Sequence, residues 1–186
     1  MSPDDLRMIL IDPKRTEFIE HEDLPHLEVP IITAGETVES TLDWVTQETE
    51  TRYQYLRRAK VKNIRDYRKS YRDMPYMLIM IDEMADLMLS GDWRDSIERN
   101  IIRIAQKARA VGIHLIVATQ RPSVDVIPGI MKANFPTQVA FMVNKKIDSQ
   151  VILDESGAEE LIGKGDMLFA SPGTQGLQRL QAYYTE

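Results

Sequence analysis

Two adjacent carboxylates, Asp82 and Glu83, follow directly on the apolar run Tyr76-Met77-Leu78-Ile79-Met80-Ile81. Unpaired carboxylates at the end of a buried strand are costly to desolvate. A nucleotide site gives them a role. In the Walker B arrangement the first carboxylate holds Mg2+ through water and the second polarises the attacking water. Side chains alternate in direction along a strand, so Asp82 and Glu83 can act on different targets. The competing explanation is a pair of acids favoured by a helix N-terminus.

A second buried run, Ile113-His114-Leu115-Ile116-Val117-Ala118, ends in Thr119-Gln120-Arg121-Pro122. Pro122 breaks regular structure there. Gln120 has the amide chemistry to hydrogen-bond a γ-phosphate or the attacking water, or to be a satisfied loop amide. His114 has mostly apolar neighbours and is expected to be a packed core histidine. His21 and His26 are five apart, off the spacing that puts two ligands on one helix face. Mg2+ is therefore the one metal expected. A phosphate cradle needs Gly-x-x-x-x-Gly-Lys followed by Ser or Thr. Gly163-Lys164 is followed by Gly165 instead, which predicts a tight turn before a strand.

The elements that must position these residues are legible in coarse outline. Arg7 to Asp12 predicts a strand closed by Asp12-Pro13, and Val29 to Thr33 a second short strand. Val38, Leu42, Val45, Thr49, Tyr53 and Leu56 recur at helical spacing, predicting a helix from about Glu36 to Ala59. Tyr76 to Ile81 reads as a parallel strand buried on both faces. Ile97, Ile101, Ile104, Ala105 and Ala108 mark a helix that stops near Gly112. Ile113 to Ala118, Gln138 to Val143 and Met167 to Ala170 are further strand candidates. Strands alternating with helices predict an α/β fold with a mostly parallel sheet flanked by helices. Ligands in such folds sit at the carboxyl ends of the strands. Asp12, Asp82-Glu83 and Thr119-Gln120-Arg121 fall there.

Composition narrows the function classes. The 186 residues suit one domain with a real core, and the apolar fraction of 43% argues against disorder. Zero cysteines exclude disulfides and thiolate-ligated metals. No apolar run approaches a membrane span and no signal peptide is visible, so the expected location is cytoplasmic, with no membrane contact by this segment. A net charge of −6 argues against nucleic-acid binding by bulk positive charge. The charge is uneven: ten acids and one base lie between Arg15 and Glu50, then nine bases and one acid between Arg52 and Arg72. The basic block is either a solvated helix face or a surface for an acidic partner.

Assembled, these residues resemble the motor domain of the FtsK/SpoIIIE family of bacterial DNA translocases. The resemblance runs through Ile9-Leu10-Ile11-Asp12-Pro13-Lys14, Leu24-Pro25-His26-Leu27, Met80-Ile81-Asp82-Glu83-Met84-Ala85-Asp86-Leu87-Met88, Ala105-Gln106-Lys107-Ala108-Arg109-Ala110, Ala118-Thr119-Gln120-Arg121-Pro122-Ser123-Val124-Asp125-Val126, Lys132-Ala133-Asn134, Lys146-Ile147-Asp148-Ser149 and Gly165-Asp166-Met167-Leu168. It implies a RecA-like P-loop ATPase core in a homo-hexameric ring around double-stranded DNA, with ATP and Mg2+ as cofactors. By the same resemblance Asp82 and Glu83 are the Walker B pair, with Asp82 reaching Mg2+ through water. Gln120 senses the γ-phosphate, and Arg109 is an arginine finger for the next subunit. Loops with Thr119, Arg121, Lys132 and Lys146 touch DNA phosphates, mostly without reading bases.

Two departures stand out. Relatives usually carry arginine at the positions of Gln138 and Gln150. The Walker A strand and helix, which in the family directly precede the segment beginning at Ser2-Pro3-Asp4, are missing. The chain is expected to be the C-terminal part of the motor domain, residues 1–186, incomplete at the N-terminus. It should expose an apolar seam on its sheet and hydrolyse almost no ATP by itself. Any membrane anchor of the parent would lie in absent N-terminal segments. The competing readings are a fragment of a type VII secretion-like ATPase and a non-catalytic RecA-like module.

Overall fold

The computed structural model describes residues 1–89 and 91–184, and the chain divides into two units, Met1–Gln120 and Arg121–Glu186. In the first unit the continuous apolar runs form three parallel strands: β1 (Leu6–Ile11), β2 (Tyr76–Ile81) and β3 (Ile113–Val117), in the order β1-β2-β3. The register pairs Ile11 with Ile81 and Ile81 with Val117. All three carboxyl ends therefore lie on one edge.

One face of this sheet is sealed. Ile9, Ile11, Met77, Ile79, Ile81 and Ile113 are buried. Helix α1 (Gly35–Arg58) packs on α4 (Arg94–Lys107), the first burying Val38, Leu42 and Val45 and the second Ile97, Ile101 and Ile104. Asn100 ties the pair through Asp43 at 2.7 Å and Thr46 at 3.3 Å. Two short helices, α2 (Ile64–Tyr67) and α3 (Met84–Met88), complete the unit. The opposite sheet face is less covered than the sequence suggests for β2. Tyr76, Leu78 and Met80 are half-buried, His114 is exposed, and Ile116 is 48% exposed. This is the apolar seam expected of the sheet.

The expected strand over Val29–Thr33 does not form. Leu27 and Ile32 make isolated parallel bridges to Met8 and Ile11. Pro30, between them, has no N–H to give a ladder.

The basic block is partly internal. Buried Arg52 donates from Nη1 to the carbonyls of Pro75 (2.8 Å) and Val111 (3.1 Å) and from Nε to Glu48 (2.8 Å). Arg68 donates to Asp5 and to Met74 O (2.7 Å), with its guanidinium over the Tyr76 ring. Arg57, Arg58, Lys60, Lys62, Arg65, Lys69 and Arg72 are exposed.

The second unit holds α5 (Gly129–Lys132), β4 (Gln138–Phe141), α6 (Lys146–Leu153), β5 (Asp166–Ala170) and β6 (Gln178–Gln181). Its sheet, β4-β5-β6, is antiparallel throughout, so the mostly parallel sheet expected from the sequence is that of the first unit. The short loop from β5 to β6 permits a hairpin and no parallel crossover. Ala140, Leu153, Ala158 and Leu161 form its core. Two resembling motifs have structural work here. Buried Ser149 donates to Glu155 O (2.8 Å) and accepts from Ala158 N (3.1 Å). Asp166 accepts two bonds from Arg179 (2.9 and 2.6 Å) and one from Ile162 N (2.9 Å). Gly163, Lys164 and Gly165 all have positive φ and make the expected tight turn before β5. A Cβ on Gly165 would lie 2.7 Å from Ala182 O.

Candidate functional site

The site is built on the carboxyl edge of the parallel sheet. Asp82 continues β2, and its N–H donates to Ile11 O at 3.1 Å, beside the end of β1. Glu83 follows, and its side chain turns inward while that of Asp82 stays half-exposed. The alternation of a strand thus separates the two carboxylates as the sequence predicts.

Glu83 is fully buried and fully engaged. Its carboxylate accepts from Thr119 Oγ1 at 2.5 Å, from Gln120 N at 3.3 and 3.2 Å, and from Ala85 N at 3.1 Å. The bond to Ala85 N also caps α3, so the helix-terminus explanation is part of the truth. Lys14 Nζ lies 3.5 Å from Glu83 Oε2 and 3.5 Å from Asp86 Oδ2. Burial pushes Glu83 up, but Thr119, Gln120, Ala85 and Lys14 together outweigh it and hold its pKa below normal.

Asp82 behaves oppositely. No hydrogen bond or ion pair to its carboxylate occurs among the described residues. Burial first, then the charges of Glu17, Asp12 and Glu83, raise its pKa, and Lys14 offsets only part of this. A carboxylate surrounded by negative charge and short of donors is a cation-seeking group.

Asp12 shares this rim but is a loop builder. Its oxygens accept from Arg15 N (2.8 Å), Glu17 N (3.0 Å) and Phe18 N (3.1 Å). Burial works to raise its pKa, and these backbone N–H groups override burial and lower it. The chain after Pro13 is thereby folded back so that Lys14 reaches Glu83. Sequence reading gave Lys14 no role, although its place one residue beyond Asp12-Pro13 was the available signal.

Asp82, Glu83, Thr119 and Gln120 therefore come together, with the Gln120 side chain exposed. Arg109 does not join them. It is exposed, in the 3-10 turn Ala108–Val111, before the amino end of β3. Five strand residues at about 3.3 Å each put roughly 17 Å between that edge and the carboxylates. Gly112 sets this placement. Its φ of 76° closes the turn, and a Cβ there would lie 2.3 Å from Ile64 Cδ1. Arg109 lines a cleft of about 580 Å³ with Tyr53, Arg65, Lys107 and His114. His114 is no core residue: it is exposed and stacks on Tyr76, with ring centroids 6.3 Å apart. Partial desolvation, then the charge of Arg109, lowers its pKa.

The remaining cations lie in the second unit. Arg121 begins it and is exposed. Lys146 is exposed at the first position of α6. Lys132 is engaged: its ammonium donates to Asp154 Oδ1 (2.5 Å) and Gln150 O (3.4 Å) at the carboxyl end of α6.

The donor set fits a hydrated cation and not a bare one. Among the described residues no group of three or more His, Asp or Glu side chains gathers to hold a metal. Mg2+ usually keeps several waters and takes one or two carboxylates plus phosphate oxygens, which Asp82 alone can satisfy from the protein side. No helix among the described residues is long and apolar enough to cross a membrane.

Comparison with known proteins agrees with this arrangement. The FtsK/SpoIIIE family model matches residues 1–124, nearly the same span as the first unit. DNA translocase FtsK of Helicobacter pylori (strain J99) is 50% identical over 185 residues, covering 97% of this chain and 22% of that protein. DNA translocase FtsK of Leptospira interrogans (serogroup Icterohaemorrhagiae serovar copenhageni) is 48% identical over 194 residues, covering 99% and 20%. The chain thus spans about a fifth of the length of these curated relatives. Among solved structures, the pCW3 conjugation coupling protein TcpA, in monomer form with ATPγS, superposes with a TM-score of 0.86 at 26% identity, covering 98% of this chain and 53% of that one. The cytoplasmic domain of the Thermomonospora curvata type VII secretion ATPase EccC gives 0.82 at 26% identity, covering 98% and 22%. These are P-loop ATPase folds, and the chain belongs to the FtsK/SpoIIIE family.

Proposed function

We propose that this chain is part of an ATP-driven motor that translocates double-stranded DNA. One observation supports this most: a cation-seeking Asp82 beside an engaged Glu83, both at the strand end that also presents Gln120, in a chain half identical to FtsK translocases. Asp82 would hold the waters of Mg2+, which when bound neutralises charge on the ATP phosphates. Glu83 orients and polarises the attacking water. Gln120 donates its amide to the γ-phosphate. Arg109, on the far edge of its own sheet, serves a neighbouring copy in a homo-hexamer. Arg121 and Lys146 contact DNA phosphates. Thr119 and Lys132 would join them only by exchanging Glu83 and Asp154 for phosphate.

The chain itself holds no glycine-rich phosphate loop. Purified alone it should therefore show no Mg2+-dependent ATP turnover above background. The full-length parent should hydrolyse ATP with Mg2+ and accelerate with duplex DNA. Parent hydrolysis indifferent to duplex DNA would instead favour the secretion-ATPase reading that the EccC likeness offers.

A further inference from the structure

Glu83 is held mainly through Oε1, which accepts from Thr119 Oγ1, Gln120 N and Ala85 N, while Oε2 shares the Gln120 N–H and lies 3.5 Å from Lys14 Nζ. An ionised carboxylate offers about four lone-pair sites. Thr119 Oγ1, Gln120 N, Ala85 N and Lys14 Nζ surround them, and the side chain is fully buried. A general base must come within about 2.6–3.2 Å of the proton it takes, directly or through one water. Held this way, Glu83 faces inward, away from the rim where Asp82 stands half-exposed.

The holders differ in kind. Ala85 N is fixed by the start of α3. Thr119 and Gln120 lie beyond the end of β3. Arg121 is the next residue in the chain, then Pro122, which cannot donate a backbone bond. Arg121 is thus one residue from the N–H and two from the hydroxyl that grip Glu83.

Resting on the motor reading above, we propose that Thr119 is a positioning residue that keeps Glu83 withdrawn, and that an anionic phosphate backbone engaging Arg121 releases it. Hydrolysis is thereby made conditional on DNA through the Thr119–Arg121 segment. Thr119 acts on Glu83 and touches neither nucleotide nor DNA in doing so.

The experiment uses the full-length parent protein, with ATP turnover measured with and without duplex DNA. Thr119→Val keeps the side-chain shape and deletes the donor. The expected result is a rise of about three- to tenfold in kcat without DNA, a small part of the about 10²–10⁴-fold that a positioned base contributes. KM for ATP stays unchanged, kcat with DNA changes less than twofold, and the stimulation ratio collapses. Thr119→Ser, which keeps the hydroxyl, retains the wild-type ratio and controls for loss of fold. Thr119→Val with the wild-type ratio overturns the proposal, as does an equal fall of both rates in a variant that melts like wild type. Those outcomes leave the motor reading standing. A wild-type parent whose hydrolysis ignores DNA defeats the motor reading and this inference together.

Discussion

Asp12 and Asp82 end neighbouring parallel strands on one edge of the sheet, and, after burial and the charge of Glu17, the settled charge of the first raises the pKa of the second. Asp12 has three backbone donors within 3.1 Å and is committed to its loop. Asp82, one strand away, is left with the repulsion.

Removing that charge should stabilise the protein while disabling it. A raised carboxyl pKa means the folded state favours the proton, so this contribution is present at acid pH and is lost as pH rises through the folded value. Asp82→Asn should therefore melt higher than wild type at pH 7, by about 2 °C, with the gap closing toward pH 4. The same variant of the parent should lose Mg2+-dependent hydrolysis. Melting curves at several pH values check the first part and steady-state turnover the second.

The second unit should carry an acid-sensitive clip. Asp166 is held at a pKa of about 2, chiefly by the hydrogen bonds from Arg179 and then by Ile162 N. A lowered carboxyl pKa gives stability that is full above the unfolded value near 4 and fades as pH falls toward 2. Asp166→Asn should lower Tm by a few degrees at pH 7 and abolish the loss of stability that this group causes between pH 4 and 2.

Gly112 should be nearly irreplaceable. Alanine there must adopt a left-handed backbone, costing about 1–2 kcal/mol, and must also displace Ile64. Denaturant melts of Gly112→Ala should show a loss of at least that size.

The distance between Arg109 and its own Glu83 makes a mixing test decisive. Parent subunits with Arg109→Ala should be slowed about 10³–10⁵-fold, and subunits with Asp82→Asn should lose Mg2+-dependent hydrolysis for their separate reason. Mixed together, some interfaces join an intact Asp82 to an intact Arg109, and part of the activity should return. A mixture as inactive as its components would show that Arg109 serves its own subunit or no nucleotide at all.

Gln150 is exposed on α6, which begins with Lys146. Gln150→Arg in the parent should tighten duplex binding and steepen the slope of log affinity against log salt by about 0.9. An unchanged slope places this helix away from the DNA.

Much of the first unit follows from local pattern. β2 is a run of six apolar residues and α1 repeats its apolar positions every three or four, so each element declares itself without its partners. The carboxylate pair was visible for the same reason, because a polar tip on an apolar strand is a local anomaly. Val29–Thr33 misled because a strand needs a partner, and Pro30 denies one. β6, Gln178–Gln181, is exposed throughout and leaves no apolar signature. His114 looked like core because its sequence neighbours are apolar, while exposure is set by what covers the sheet face.

The order of residues therefore settled the strand-and-helix alphabet, the acid pair and the family. Only the folded chain decided which carboxylate is gripped and which is left short of donors. Thr119 meets Glu83 from 36 residues away, and Lys14 from 69. Hydrogen bonds between strand ends depend on register and side-chain direction, and neither is a property of any stretch of sequence read alone.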